Sequence, residues 1–225
     1  MDKPIYFNFP IPLLSGAFDN IKGVTDNIMN YAVYRHSLKL HGKELKRMDD
    51  AASFFDITLG DTERSLQSGK KLHSKHSTQA PMASVSRDVV FNFYSEYKEE
   101  FEIACFCVFS AIKSILGNKE YCKTNKDLII SRMFGLSGNN TELKPKYSKR
   151  YQIDKVLFEL QESWGLKLYS NRQRGFYLSF TKELHELIII AEEKKIAVKK
   201  ANLVSKKNEA RRLALQHIHS TKTAP

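Results

Sequence analysis

Residues 148–180 have the sequence SKRYQIDKVLFELQESWGLKLYSNRQRGFYLSF, which contains the pattern that decides the fold. In its first half, apolar residues recur three or four positions apart, as they do along one face of an α-helix. Gly165 ends the predicted helix, which spans 148–164 and has Ser148 as its expected N-terminal cap. The apolar stripe consists of Ile153, Val156, Leu157, Leu160 and Trp164.

Two short segments after this helix alternate in polarity. They are LKLYS at 166–170 and GFYLSF at 175–180, and the connection NRQRG at 171–175 lies between them. Alternation with a period of two is typical of β-strands, and a short polar connection with a glycine favours a tight turn. The sequence therefore predicts a helix that is followed directly by a small two-stranded β-hairpin.

The residues before 148 supply further elements for the same core. The segment 101–116 is apolar almost all round, which predicts a buried central helix. A short strand is predicted at 120–123 and another helix at 125–136, and a polar connection at 137–147 leads to the helix described above. The predicted order is helix, strand, helix, helix, strand, turn and strand.

In this order and placement of elements, residues 101–180 resemble the winged helix-turn-helix superfamily. The stretches that carry the resemblance are YCKTNKDLIISRMFGLS, KYSKRYQIDKVLFELQESWGL and LKLYSNRQRGFYLSF, which together cover less than half of the chain. The resemblance implies that the third helix enters the major groove of double-stranded DNA. It also implies that the hairpin, or wing, contacts the DNA backbone or the minor groove.

The charge of the chain agrees with a phosphate-bearing partner. Lysine and arginine number 36 against 25 aspartate and glutamate residues, which gives a formal net charge of +11. Many of the cations fall where the winged helix would meet DNA, although helix ends and hairpin tips often carry cations that are simply solvated. The predicted DNA-binding residues are Lys123, Lys126, Lys144, Lys146, Lys149, Arg150, Tyr151, Gln152, Arg172 and Arg174.

The side chains in this set suit different parts of DNA. Lysine and arginine would bind phosphates, and Tyr147 or Tyr151 could donate a hydrogen bond to phosphate or stack on sugars. Lys149, Arg150 or Gln152 could read base edges from the start of the third helix.

The N-terminal half is predicted to be helical, at 15–38, 44–55 and 61–73. Before these helices, the proline-rich stretch PIYFNFPIPLL at 4–14 predicts an extended arm that lies on the surface or reaches a partner. The serine-rich stretch LHSKHSTQAPMASVS at 72–86 is the best linker candidate, or else a long loop within one domain.

These patterns predict a mostly α-helical (α+β) chain with three parts. A helical N-terminal region spans 1–84, a winged-helix domain spans 85–181, and a basic C-terminal helix or tail spans 182–225. The last helix has an apolar run at 187–190 and then paired cations. It could lie on the DNA backbone, form a homodimer through its apolar run, or end as a solvated terminal helix. A membrane-surface helix is less favoured, because the segment has no tryptophan or phenylalanine.

No motif for catalysis or for a cofactor is present, so we expect a protein that is not an enzyme and has no cofactor. Cys105, Cys107 and Cys122 are expected to be reduced thiols, and His73 with His76 has no further ligand nearby for a metal. The sequence has no run of about 18 apolar residues, so it predicts no membrane span. The expected location is the cytoplasm, with nucleoid association if the protein is bacterial.

Three functions fit these features. The first is a transcriptional regulator that binds double-stranded DNA. The second is a plasmid or mobile-element replication initiator, which would need a second winged helix and therefore a hairpin between residues 42 and 86. The third is a protein-interaction scaffold whose winged helix docks a protein and shows no salt-dependent affinity for DNA.

Overall fold

The structure is a computed structural model that describes residues 4–40, 44–76, 80–138, 147, 149–170 and 175–222. Within these ranges the chain is mostly α-helical and has two small antiparallel sheets, so the predicted α+β class is confirmed. The helices are α1 (Ile21–Ser37), α2 (Glu44–Phe54), α3 (Thr62–His76), α4 (Arg87–Ser95), α5 (Glu100–Leu116), α6 (Lys126–Met133), α7 (Arg150–Ser163) and α8 (Leu184–Lys222). The strands are β1 (Tyr6–Pro10), β2 (Met82–Ser86), β3 (Tyr121–Thr124), β4 (Lys167–Tyr169) and β5 (Phe176–Ser179).

The N-terminal segment is extended, as predicted, but it is a buried strand rather than a surface arm. β1 pairs antiparallel with β2, and Phe7 lies opposite Val85 while Phe9 lies opposite Ala83. Both phenylalanines are fully buried. The prediction of an arm on the surface or at a partner is therefore wrong. A period of two places Phe7 and Phe9 on one face of the strand, and the prolines exclude only a helix.

The predicted linker at 72–86 is also wrong in its described part. α3 continues to His76, and the serine-rich end of the stretch forms β2, against which α5 packs. Ala83 and Val85 are buried and alternate with serines, so a two-residue period was hidden by the serine-rich composition. The predicted domain boundary between residues 84 and 85 falls inside this strand.

One continuous hydrophobic core extends from Phe7 in β1 to Leu178 in β5. α5 runs through its centre, and every residue from 103 to 112 on this helix is buried. The predicted buried central helix is thus confirmed. Elements from both sides of the predicted boundary pack on it. β2, most of which precedes residue 85, contacts α5. From the other side, Phe93 of α4 contacts Phe106 with ring centroids 4.7 Å apart, and α7 also packs against α5.

The C-terminal half contains the predicted strands and hairpin. β4 and β5 pair antiparallel, and β3 pairs with the other edge of β5, so that the strand order is β3-β5-β4. The predicted stripe of α7 is buried at its first four positions, and the fifth, Trp164, is half-buried against Phe109 with ring centroids 4.9 Å apart. The order of α5, β3, α6, α7, β4 and β5 is the order expected from the sequence.

The outer face of this three-stranded sheet is covered by the start of α8. Leu187 and Ala191 are fully buried there against Tyr177, and Tyr121 and Tyr169 complete the small cluster. Part of the apolar run at the start of α8 is therefore buried within the chain itself. Coverage of both faces also explains why every residue of β5 is buried.

Candidate nucleic-acid interface

The structure places six of the ten predicted DNA-binding residues around α6, α7 and the sheet. Lys123 lies on β3, Lys126 begins α6, and the other four follow one another at the start of α7. For Arg150 the backbone is described and the side chain is not. The remaining four, on the connection before α7 and at the tip of the hairpin, lie outside the described residues: Lys144, Lys146, Arg172 and Arg174.

The N-terminus of α7 combines positive side chains with backbone N–H groups that no side chain caps within the described residues. The N-cap residue is Lys149 rather than Ser148, so the predicted cap is wrong. The Lys149 carbonyl accepts hydrogen bonds from the N–H groups of Gln152 (2.9 Å) and Ile153 (3.3 Å). The first turn contains no acidic residue. Since cations are unfavourable at the positive end of a helix dipole, this end favours an anion.

α7 exposes two large aromatic side chains on the face opposite its buried stripe. Tyr151 is 61% exposed and Phe158 is 62% exposed. Lys155 lies between them, with Nζ 4.8 Å from the centroid of the Tyr151 ring. These residues are four and then three positions apart, so they share one helix face. This face of α7 therefore combines two exposed aromatic rings with a lysine, and it is the candidate interface.

Sequence reasoning missed Lys155 and Phe158, although the signal was present. The spacing that defines the buried stripe of α7 also fixes which residues point away from the core. Lys155 and Phe158 lie on that opposite face together with Tyr151. A search limited to the cationic start of the helix could not find them.

Lys126 is half-buried and forms a salt bridge, so it does not project freely toward a ligand. Its Nζ lies 2.5 Å from Oδ1 of Asp154, which joins the start of α6 to α7. Asn125 caps α6 by accepting a hydrogen bond from the N–H group of Leu128 at 2.8 Å. Lys126 therefore stabilises the packing of the two helices, and Asp154 places a negative charge on the exposed side of α7.

Two lysines lie over tyrosine rings on the outer face of the sheet. Lys123 Nζ is 5.6 Å from the centroid of the Tyr177 ring. Lys194 of α8 places its Nζ 4.8 Å from the centroid of Tyr121. Both distances are in the range of cation–π contacts. Lys123 is exposed at the edge of the sheet.

Tyr147 does not lie on the candidate interface. Its side chain is buried, and its ring stacks on that of Phe18 with centroids 5.4 Å apart. The expectation that Tyr147 contacts phosphate is therefore wrong. Phe18 comes from the turn before α1, so the local sequence, in which Tyr147 neighbours lysines, gave no sign of this partner.

The three thiols are free, and burial makes them poor nucleophiles. It raises the pKa of Cys105 to about 12 and that of Cys122 to about 11. Burial also raises the pKa of Cys107, which lies in the core. Because the thiolate is the reactive form, these side chains act as small apolar residues at neutral pH.

The described part of the chain contains no group of three or more histidine, cysteine or carboxylate side chains that could hold a metal ion. His73 instead packs on Tyr31 and Tyr34, with ring centroids 5.8 and 5.6 Å away. Among the same residues, no helix is both long and apolar enough to cross a membrane.

No protein-family model matches the chain. Neither a curated protein nor a solved structure matches it. The function therefore has to follow from the chemistry of the described residues. The strongest chemical feature is the exposed side of α7, which has a cationic start and two exposed aromatic rings, together with the carboxylates of Asp154 and Glu162.

Proposed function

We propose that this protein binds double-stranded DNA and acts as a transcriptional regulator, using residues 100–180 as a winged helix. α7 would lie in the major groove, and the β4–β5 hairpin would contact the backbone or the minor groove. The observation that supports this most strongly is the exposed side of α7. There a cationic N-terminus, which no side chain of the described residues caps, leads into Tyr151, Lys155 and Phe158.

Each part of this surface has a counterpart on DNA. At the start of α7, Lys149 and the backbone N–H groups for which the described residues supply no side-chain cap would bind a phosphate. The helix dipole favours the same anion. Lys155 would bind a second phosphate. Phe158 is placed further along the helix, where an apolar ring can contact the methyl group of thymine.

The two alternative functions have less support. A replication initiator would need a hairpin in the N-terminal half, but the described residues 44–76 and 80–86 contain one strand, and its partner is β1. A scaffold that docks a protein would use the exposed aromatic rings of α7. It gives no reason for cations at the positive end of that helix, where an anion resolves the unfavourable charge.

The proposal predicts salt-dependent binding that depends on two described lysines of α7. With the full chain and random-sequence duplex DNA, the change Lys149→Gln with Lys155→Gln should weaken binding. It should also lower the slope of log affinity against log salt concentration by about 1.8, at about 0.9 for each lost phosphate contact. Fluorescence anisotropy at several salt concentrations measures both quantities.

Phe158→Ala should leave the slope unchanged and alter the base preferences of sequences selected from a random pool.

The matched control carries Lys71→Gln and Lys75→Gln, which remove the same charge from exposed positions on α3. The proposal is wrong if the wild-type chain shows no salt-dependent affinity for DNA. It is also wrong if the α7 variant has the same affinity and slope as the α3 control.

Replacing Asp154 with asparagine is expected to strengthen DNA binding. The change removes a negative charge from the exposed side of α7 and releases Lys126 from its salt bridge. One additional phosphate contact would steepen the salt dependence by about 0.9. The cost in stability should be small, about 0–1 kcal/mol, since Asp154 is largely exposed. Anisotropy titrations compare this variant with Glu162→Gln, which removes an exposed carboxylate near the other end of α7. Equal affinities for the two variants would contradict the expected role of Lys126.

A further inference from the structure

Most of α8 extends beyond the body of the protein. Leu187 and Ala191 anchor its start on the sheet, and the Tyr169 hydroxyl donates a hydrogen bond to Glu192 at 3.1 Å. Every residue from 196 to 215 is exposed. With a rise of 1.5 Å per residue, the part from 196 to 222 is about 40 Å long. A helix of this length without packing contacts lacks the usual source of helix stability.

This projecting helix is strongly cationic. Between positions 194 and 212 there is one acidic residue, Glu209, and there are eight cations. Like charges four positions apart, such as Lys195 with Lys199 and Lys207 with Arg211, destabilise an isolated helix. The cations are Lys194, Lys195, Lys199, Lys200, Lys206, Lys207, Arg211 and Arg212. A polyanion bound along the helix would remove this repulsion.

The cations are arranged around a narrow apolar ridge. Ile196 is 64% exposed and Leu203 is 71% exposed, and the two are seven positions apart, so they lie on the same side of the helix. Three and four residues after Ile196, and again after Leu203, the sequence has a lysine. On a helix these positions lie on the two sides of the ridge. The two flanking rows are Lys199 with Lys206 and Lys200 with Lys207.

This arrangement does not suit a second copy of the chain. A coiled coil needs two apolar positions in every seven residues, and along the ridge of Ile196 and Leu203 the second position holds lysine. Pairing two ridges would also bring lysine rows of one copy against those of the other. The major groove of DNA fits better, because it is roughly 12 Å wide, admits an α-helix and has phosphates along both of its walls.

We propose that the projecting part of α8 lies along the major groove of duplex DNA as a second DNA-contacting element. The four flanking lysines bind phosphates on both walls of the groove, and the element supplies affinity without sequence preference. The identity of the polyanion rests on the proposed function. α8 is anchored on the sheet that contains the β4–β5 hairpin, so the test needs a duplex that both α7 and α8 could contact.

The test uses the full chain and a random-sequence duplex long enough for both helices. The α8 variant carries Lys199→Gln, Lys200→Gln, Lys206→Gln and Lys207→Gln, and glutamine keeps the helix propensity close to that of lysine. Loss of four phosphate contacts should lower the salt slope by about 3.6. Between roughly 50 and 200 mM salt, the wild-type chain should therefore lose about 100-fold more affinity than the variant.

The control makes the same four changes at exposed lysines of the N-terminal half, and it should keep the wild-type slope. Its positions are Lys39, Lys46, Lys71 and Lys75. An α8 variant that behaves like this control overturns the inference.

The α7 variant separates this inference from the proposed function. If the α7 changes lower the slope and the α8 changes do not, the proposed function stands and the role of α8 is rejected. The opposite result supports the role of α8 and rejects the winged helix as the DNA-binding element. Analytical ultracentrifugation adds a further check: a wild-type dimer that Leu203→Gln converts to a monomer would identify α8 as a dimer interface and overturn the inference.

Discussion

Replacing Phe106 with alanine is expected to lower the free energy of unfolding by about 3–5 kcal/mol. Phe106 is fully buried in the middle of α5 and packs on the ring of Phe93, so its removal leaves a cavity in the centre of the core. For a chain of this size the melting temperature should fall by about 2–4 °C for each kcal/mol. Chemical denaturation followed by circular dichroism measures the loss. Phe91→Ala, at a ring that is 40% exposed on the neighbouring helix, is the control and should cost about 1 kcal/mol or less.

The Phe106 variant also tests the division of the chain at residues 84 and 85. Strands and helices from both halves share one core with α5, so loss of Phe106 should weaken both halves together. Trp164 is the single tryptophan, and its fluorescence follows the C-terminal half, whereas hydrogen exchange at β1 follows the N-terminal half. We expect the two probes to report the same unfolding transition. If only one of the two probes shifts, the halves unfold as separate domains and the shared core contributes little.

The elements that could be predicted from the sequence are those in which the pattern and its cause are local. The stripe of α7 and the alternation of β4 and β5 are periodic within a few residues, and the period alone identifies them. β1 was misjudged because its partner is distant in sequence. Only the pairing of Phe7 with Val85 and of Phe9 with Ala83 shows that the proline-rich stretch belongs to the core.

The same distinction applies to the candidate site. Lys149 and Tyr151 were predictable because their position at the start of α7 follows from the stripe. Two other outcomes depend on neighbours that the local sequence does not reveal. Lys126 is neutralised by Asp154 of another helix, and Tyr147 is covered by a ring from the N-terminal half. Sequence reasoning therefore located the cationic region but could not tell which of its side chains are available to a ligand.

The start of β5 is an example of a local feature with a long-range cause. The sequence places Gly175 in the predicted turn before this strand, where a glycine serves any tight turn. In the structure, Gly175 has a φ of +84° and lies against the backbone of Thr124 at the end of β3. The glycine is required both by its left-handed backbone conformation and by the close approach of another strand.

Gly175→Ala is therefore expected to destabilise the protein by about 2–6 kcal/mol, from two contributions. A residue with a Cβ atom pays about 1–3 kcal/mol in a sparsely populated backbone region. The added Cβ would also overlap the carbonyl oxygen of Thr124, and overpacking against backbone costs about 1–3 kcal/mol more. Because Thr124 pairs with Phe176, the clash pushes the hairpin away from β3. Denaturation curves should show the loss of stability, and DNA titrations should show weaker binding as the hairpin shifts relative to α7.

Gly165→Ala separates the two contributions. Gly165 has a φ of +72°, but a Cβ atom there would meet no other atom within 4 Å, so this variant should show the backbone cost alone. The difference between the two variants measures the close approach of β3 and β5. Equal losses of stability would mean that Thr124 moves aside at little cost. In that case the position of the hairpin, and with it the orientation of the proposed wing, is not fixed by this contact.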